Sequence, residues 1–551
     1  MESYQTWFGE GPELSILRML GLFDRPADEK ALESLRKSPA IHGLTESLTD
    51  LSPTEWRTIL AKLRRARLLA GEDPHNPGCL DTHPLMREYF GEQLQLERSE
   101  AWRECNLRLY DYYRTLAPEL PETFPEMESL FLAAICGCNA GLLREVLQKV
   151  YIPRIQRGNA SFAASVLGAR GALLSVLVHF FKHGRWDSPI QSGVEGQCLN
   201  AEDQLFILMQ AGLYLTATRG LGAPDGSVCY ARAERLCHAL NRPLLLYVAL
   251  MAQWRYSLNT DKLTAPMQIA NRIYSLAEDQ NDSVLLIGAY TALSMTRYFM
   301  GDWEAAHQYA MSGIEIWRNG IVKSPVEEVD VPVVSILCYE ALAEWLLGEV
   351  TSCQSTMAEA IALAKSLNDM HGLAAALHYA SVLGHFERNP FEVERLASNL
   401  IELSTRHHFA HWLALGVIFR GWALSASGDT AHGIAWIEDG IRDYRSTGAR
   451  IALPFLLTLK AEALHLGDRT SEAFEALKEA ESMAEMSGDR GWCAEICRFR
   501  GLFLAAVDAD ETQIEASFSA AISTAKEQKS ISLAQRAEAS YAEYSRQKRA
   551  C

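Results

Sequence analysis

The sequence predicts an all-α protein: a helical N-terminal domain over residues 1–97, a helical adaptor over 98–199, and a superhelix of about eight paired-helix units over 200–551. Three observations carry that expectation. First, Phe419–Leu424, Leu459–Leu464 and Phe499–Leu504 align without gaps, placing the small residues Gly421, Ala461 and Gly501 at steps of 40. The same step backward reaches Ser381 and Ala341, and modest insertions lead on to Ser294, Ala252 and Gly212. Second, turn residues follow each small residue, as in Gly301-Asp302, Gly348-Glu349, Gly428-Asp429 and Gly467-Asp468. Behind each turn comes a second segment rich in Ala and aromatics, such as Trp303-Glu304-Ala305-Ala306 and Ala473-Phe474. Third, 551 residues with 48% hydrophobic and 22% charged side chains exceed one ordinary core without resembling a disordered chain.

The physics of one unit is a helical hairpin. A small side chain lets its two helices approach closely, a Gly after the first helix supplies a left-handed cap, and aromatics wedge between neighbouring units. Between Arg318 and Val334 one step lengthens to 47 residues and carries Gly320, Pro325, Pro332, Glu327, Glu328 and Asp330. That segment reads as a tolerated acidic insertion, with ligand contact as the other reading.

The N-terminal quarter has a different rhythm. Glu13–Leu22 and Asp28–Lys37 read as helices. Ser52-Pro53-Thr54-Glu55 has the pattern of a capped helix start, and its helix is expected to run to Leu69. Gly71–Gly78 is a turn, Cys79–Thr82 a short strand opposite Leu68–Ala70, and Pro84 opens a last helix through Leu94. Three helices and a hairpin predict a winged-helix domain. Residues 98–199 read as an amphipathic helix from Trp102 to Leu116, a break at Pro118, Pro121 and Pro125, and a further helix from Met127 to Arg157.

The repeats resemble the tetratricopeptide repeat (TPR) in its 40-residue form. Leu14–Phe23, Leu44–Leu69 and above all Thr82-His83-Pro84-Leu85-Met86-Arg87-Glu88-Tyr89-Phe90 resemble the winged helix of bacterial STAND signalling ATPases of the NACHT or NB-ARC type. His411–Ala414, Phe419–Leu424 and Tyr444–Arg450 are similar to the TPR arms of those proteins, including the ones fused to adenylate-cyclase domains. The resemblance covers essentially the whole chain. It implies a sensing arm whose winged helix relays occupancy to a nucleotide-binding ATPase domain, in cis or in trans. It also implies that His83, at the start of the last winged-helix helix, descends from a sensor of bound nucleotide, because a helix N-terminus suits an anion. A capping or surface histidine is the plain alternative. Val331-Pro332-Val333 stands where the family often has Asp-Pro-Gly, so a ligand contact there is not carried over. The phosphate-binding Gly-x-x-x-x-Gly-Lys-Ser/Thr loop is missing, and Gly220-Leu221-Gly222-Ala223-Pro224-Asp225-Gly226 has the wrong spacing for a dinucleotide site and reads as a loop.

The remaining patterns point away from chemistry. Lys62, Arg64, Arg65 and Arg67 form a dense basic run that a winged helix can present to DNA, but a net charge of −17 favours a solvated or interdomain face. His407, His408 and His411 invite a metal reading, yet no Cys or carboxylate completes it. Cys136 and Cys138, and Cys493 and Cys497, fit neither a zinc site nor a disulfide framework, which suggests reduced thiols and a cytoplasmic protein. No signal-peptide core, hydrolase motif or cofactor motif is found, so no enzyme activity, cofactor or membrane attachment is expected. The leading expectation is a non-catalytic arm binding a protein, peptide or small effector in the TPR groove. The alternatives are a stand-alone TPR scaffold and a winged-helix DNA-binding regulator with a TPR sensor.

Overall fold

The computed structural model describes residues 8–191, 196–320 and 331–550. It falls into two compact units, Met1–Ile207 and Leu208–Cys551. Most of the acidic insertion, with Pro325, Glu327, Glu328 and Asp330, lies outside the described residues.

The first unit begins with helices Pro12–Leu20, Glu29–Arg36, Pro53–Arg65 and Pro84–Glu97. Helix Glu29–Arg36 starts where the Asp28 carboxylate accepts from the Ala31 amide at 2.8 Å. The expected capping box is formed: Ser52 accepts from the Glu55 amide while the Glu55 carboxylate accepts from the Ser52 amide. The first and last of these helices touch at Gly21 and Gly91, where a Cβ on Gly21 would lie 2.7 Å from the Gly91 Cα. The expected helix to Leu69 stops at Arg65, because Arg67 turns left-handed with φ 58° and the Leu68 amide bonds back to Leu63.

Instead of the expected strand, Cys79–Thr82 makes isolated pairings. Leu80 exchanges both backbone hydrogen bonds with Ala27, and Asp81 O accepts from the Ala70 amide at 2.9 Å. No β-ladder longer than such bridges forms among the described residues. Helix Ser99–Leu116 packs on this layer, with Arg108 donating to the carbonyls of Lys37 and Pro39, both at 2.6 Å, and Tyr112 donating to Asp28 at 2.9 Å. The segment read as one helix to Arg157 is helix Phe124–Asn139, a break, and Leu143–Val146 continuing as a π-helix over Leu147–Gln156. Pro153 sits inside that wider turn. A proline removes one amide from the i→i−4 ladder and crowds the preceding turn, which a π-turn relieves.

The second unit is a TPR-like α-solenoid. Its hairpins include Pro243–Thr260 with Thr264–Gln280, Ser283–Phe299 with Trp303–Arg318, Pro332–Leu347 with Val350–Ser366, and Met370–Phe386 with Pro390–His407. Ala410–Ala426 with Thr430–Ser446, Leu453–Leu466 with Thr470–Ser487, and Cys493–Ala506 with Glu511–Glu527 continue the array. The small residues of the 40-residue frame sit where the two helices of a hairpin cross. Gly421 faces Gly433, Ser294 donates its hydroxyl to Ala306 O at 2.8 Å, and Ala341, Ser381 and Ala461 are completely buried.

First and second helices differ in burial. Pro390–His407 buries one stripe, Val393, Leu396, Ala397, Leu400 and Ser404, as an amphipathic surface helix does. Pro332–Leu347 buries every residue from Pro332 to Leu346, and Met370–Phe386 buries all of His371–Phe386 except Tyr379. Helices covered all round in this way line the inside of a closed winding. Its seam is explicit. Arg450 N donates to Asn259 O at 2.7 Å, Leu263 N to Ser487 O at 2.9 Å and Arg490 N to Phe299 O at 2.9 Å. Ser530 Oγ donates to Leu346 O at 2.7 Å, and the Arg536 guanidinium to Phe386 O. Many of these acceptors are carbonyls at the C-terminal ends of inner helices, which have no partner within their own helix. Donors from the next superhelical turn satisfy them. Partners 184 and 225 residues apart, at 40 residues per hairpin, put about five hairpins in one turn.

Candidate functional site

Equivalent positions of successive inner helices touch one another. The Tyr339 and Tyr379 hydroxyls lie 2.6 Å apart, the Trp412 indole donates to His371 Nε2 at 3.0 Å, and the Trp422 indole to Glu462 at 2.8 Å. Trp254 continues the pattern with a 3.0 Å bond to Thr296. Each pair is separated by 40 to 42 residues, so one repeat step carries a side chain onto its counterpart in the next unit.

The ladder lines a cavity of about 70 Å³ inside the winding. Trp254, Trp412 and Trp492, Tyr298, Tyr339, Tyr379 and Tyr444, and Phe455 form much of its wall. Phe455 and Trp492 stack with ring centres 4.0 Å apart. His371, His378 and His411 enter the wall from two adjacent inner helices. No Asp or Glu is among the described lining residues. Desolvation pushes the His378 imidazole down to about 3. Desolvation also pushes His411 down to about 3, with further lowering from His378 and His371. Both rings are therefore neutral near pH 7. Nδ1 of His378 and Nδ1 of His411 have no hydrogen-bond partner. An unmet nitrogen in a desolvated site is costly, so it marks a place where a ligand group or water belongs.

Three buried carboxyls, Glu462, Asp489 and Glu495, lie outside the cavity lining. Burial would raise Glu462, but His385 and Arg388 outweigh it and hold that carboxyl well below the usual range. Burial would likewise raise Glu495, which Arg498 and Arg536 hold at about 2. Asp489 differs. It is fully buried in the turn before Trp492, its Oδ1 accepts from the Gly491 amide at 2.9 Å, and its Oδ2 has no partner. Burial pushes this carboxyl up to about 8, with the Gly491 bond opposing the shift.

Of the residues singled out in the sequence, Leu221, His411, Trp412 and Tyr444 line the cavity, whereas His83, the basic run and the other histidines lie elsewhere. His83 is the exposed N-cap of helix Pro84–Glu97, with Nδ1 accepting from the Leu85 amide at 3.3 Å. Lys62 is paired with Glu13 at 2.5 Å and Arg64 with Glu72 at 3.5 Å, so half of the basic run is engaged by carboxylates. His407, His408 and His411 diverge. His407 stacks on Phe409, His408 is an exposed left-handed cap, and His411 alone faces the cavity. No cluster of three metal-ligating side chains occurs among the described residues. The glycine-rich loop lends Leu221 to the cavity wall and also has a structural role. A Cβ on Gly222 would collide with the Ala449 amide, so this loop is part of the seam. The described cysteines form no disulfide, and none of the described helices is long and apolar enough to cross a membrane.

No family model matches the chain. An uncharacterised protein of Rhizobium meliloti (strain 1021) is 27% identical over 198 residues, which cover 36% of this chain. The chain spans 19% of the length of that curated relative. Among solved structures, a signal transduction ATPase with numerous domains and a tetratricopeptide repeat sensor, from Pyrococcus horikoshii, aligns over 88% of this chain and 66% of its own. Its identity is 14% and the TM-score 0.33. A Rap protein complexed with competence and sporulation factor aligns over 63% of this chain and 99% of its own, at 10% identity and a TM-score of 0.42. The Cut9–Hcn1 hetero-tetramer of APC/C aligns over 82% and 90%, at 10% identity and a TM-score of 0.37.

Proposed function

We propose that this chain is a non-catalytic sensing and interaction arm whose superhelix holds a small effector inside its winding. The observation that carries the reading is the interior cavity with two neutral imidazoles, each with an unpartnered Nδ1, in an aromatic wall. Largely apolar concave sites with a few converging polar groups are the usual form of small-molecule pockets. The closed seam favours a small effector over an extended peptide, since the void of about 70 Å³ is smaller than the roughly 150 Å³ cavity that holds one aromatic ring. A ligand much larger than the void must loosen the turn-to-turn contacts, and that links occupancy to the shape of the arm.

The resemblance to STAND proteins supplies the output side of the proposal. The N-terminal helices then relay that change to a nucleotide-binding ATPase domain, in cis or in trans. His83 contacts nucleotide only in that assembly, from its exposed place at a helix N-terminus. Native mass spectrometry of the chain after incubation with a low-molecular-weight cell extract tests uptake. One adduct of defined mass per chain, lost in Trp412→Ala, is the expected result. No adduct from any extract, with the winding unchanged by small-angle scattering, would remove the sensor reading.

A further inference from the structure

We propose that the interior cavity takes an uncharged aromatic ring bearing a single hydroxyl or N–H donor, a ligand of the phenol class. The inference rests on the sensor reading above and narrows its ligand. Three features of the wall select this chemistry. His378 and His411 are at most 6% exposed, line the cavity, and each leaves Nδ1 without a partner. A neutral imidazole carries one N–H donor and one acceptor nitrogen on opposite edges, so one of the two rings can accept from a ligand hydroxyl while the other donates to its oxygen. The surrounding faces are aromatic. His378 lies 5.7 Å from Trp412 and 5.3 Å from Phe419, and His411 lies 5.1 Å from Tyr444. A planar ring packs edge-on or offset against such walls.

The imidazole side of the cavity also disfavours charge. His378 and His411 stay neutral because burial disfavours the charged imidazolium, and an ionised carboxylate entering the same space would meet the same desolvation penalty. Arg255, the cation among the described lining residues, is already engaged and stands 5.9 Å from the Trp254 ring, so it does not single out an anion. An aliphatic hydroxyl would satisfy the nitrogens but leave the aromatic faces unmatched.

Size gives the ligand its effect. A single aromatic ring occupies a cavity of about 150 Å³, roughly twice the void present. Entry therefore spreads the inner helices and strains the seam. The backbone amides of Leu263, Arg450 and Arg490 report this directly, since each donates across superhelical turns.

The test compares phenol, toluene and benzoate by isothermal titration with the full chain, and follows amide exchange at those three positions. Phenol is expected to bind one per chain, at least tenfold tighter than toluene, because a buried nitrogen left unmet costs about that factor. Benzoate is expected to bind more weakly than phenol. Bound phenol should speed exchange at the three seam amides. His378→Phe and His411→Phe keep the ring and remove the nitrogen, so they should bring phenol down to the affinity of toluene. Equal binding of phenol and toluene to the unaltered chain would overturn the proposal, as would a preference for benzoate. Failure of all three probes would overturn it as well. The arm reading stands or falls separately, on uptake from cell extract.

Discussion

Gly421 offers the sharpest test of the packing argument. A Cβ placed there would lie 2.7 Å from the Gly433 carbonyl oxygen, 2.9 Å from Ile437 Cγ1 and 3.0 Å from the Ile437 nitrogen. Two of those three atoms belong to the backbone of helix Thr430–Ser446, so they cannot swing aside. Gly421→Leu therefore forces the helix pair apart. Overpacking of this kind costs about 1–3 kcal/mol, and a contact with backbone belongs at the upper end. Replacing a mid-helix glycine returns about 1 kcal/mol in helix propensity. The expected net loss is about 2 kcal/mol, read as a lower urea midpoint at unchanged slope and faster amide exchange in this hairpin. Gly384→Ala is the control, because its nearest neighbour is the Val393 Cγ2 methyl at 3.0 Å, which can shift. That variant should stay within about 1 kcal/mol of the parent. Equal stability of Gly421→Leu and the parent would mean that these helices do not cross at Gly421.

The seam, the pH profile and the N-terminal unit give three more tests. Ser530→Ala removes the 2.7 Å bond that satisfies Leu346 O and should cost about 1–3 kcal/mol, with faster exchange at Leu263 and Arg490. Unchanged exchange there would mean that the turns hold together without this bond. Asp489 binds its proton more tightly folded than unfolded, so the stability it contributes is complete below 3.8 and lost as pH rises through about 8. His378 and His411 have the opposite sign: their contribution is present above 6.5 and lost as pH falls toward 3. Between pH 6.5 and 8 the Asp489 effect is the one of these still changing, so the melting temperature should fall there and level off in Asp489→Asn; a parallel fall in both chains would refute the assignment. His83→Ala removes one 3.3 Å capping bond on an exposed turn and should cost at most about 1 kcal/mol in the isolated chain. With a matching ATPase supplied, the same change should raise basal output, and an unchanged output would remove the nucleotide role.

What the sequence determined by itself is local or periodic. The Ser52–Glu55 capping box, the left-handed Gly348 and Gly428, and the small residues of the 40-residue frame are legible because each depends on neighbours within one hairpin. The segment Cys79–Thr82 keeps its expected neighbour, with Ala70 N donating to Asp81 O and the Thr82 hydroxyl to Leu68 O, but it also pairs Leu80 with Ala27, a contact too distant for local spacing to encode. The histidines show the same boundary. Local spacing groups His407 and His411 on one helix face, whereas the structure groups His411 with His371, one repeat step earlier, and with His378, two helical turns further along that earlier helix. The 40-residue frame holds that signal, since it places like positions in contact. The winding itself was decided only in three dimensions. Small rotations at each hairpin add up over about five units before Gly222 meets Ala449 and Asn259 meets Arg450. Whether the groove stays open or closes into a cavity depends on that accumulated angle, because a modest change per hairpin would carry the seam partners out of hydrogen-bonding reach.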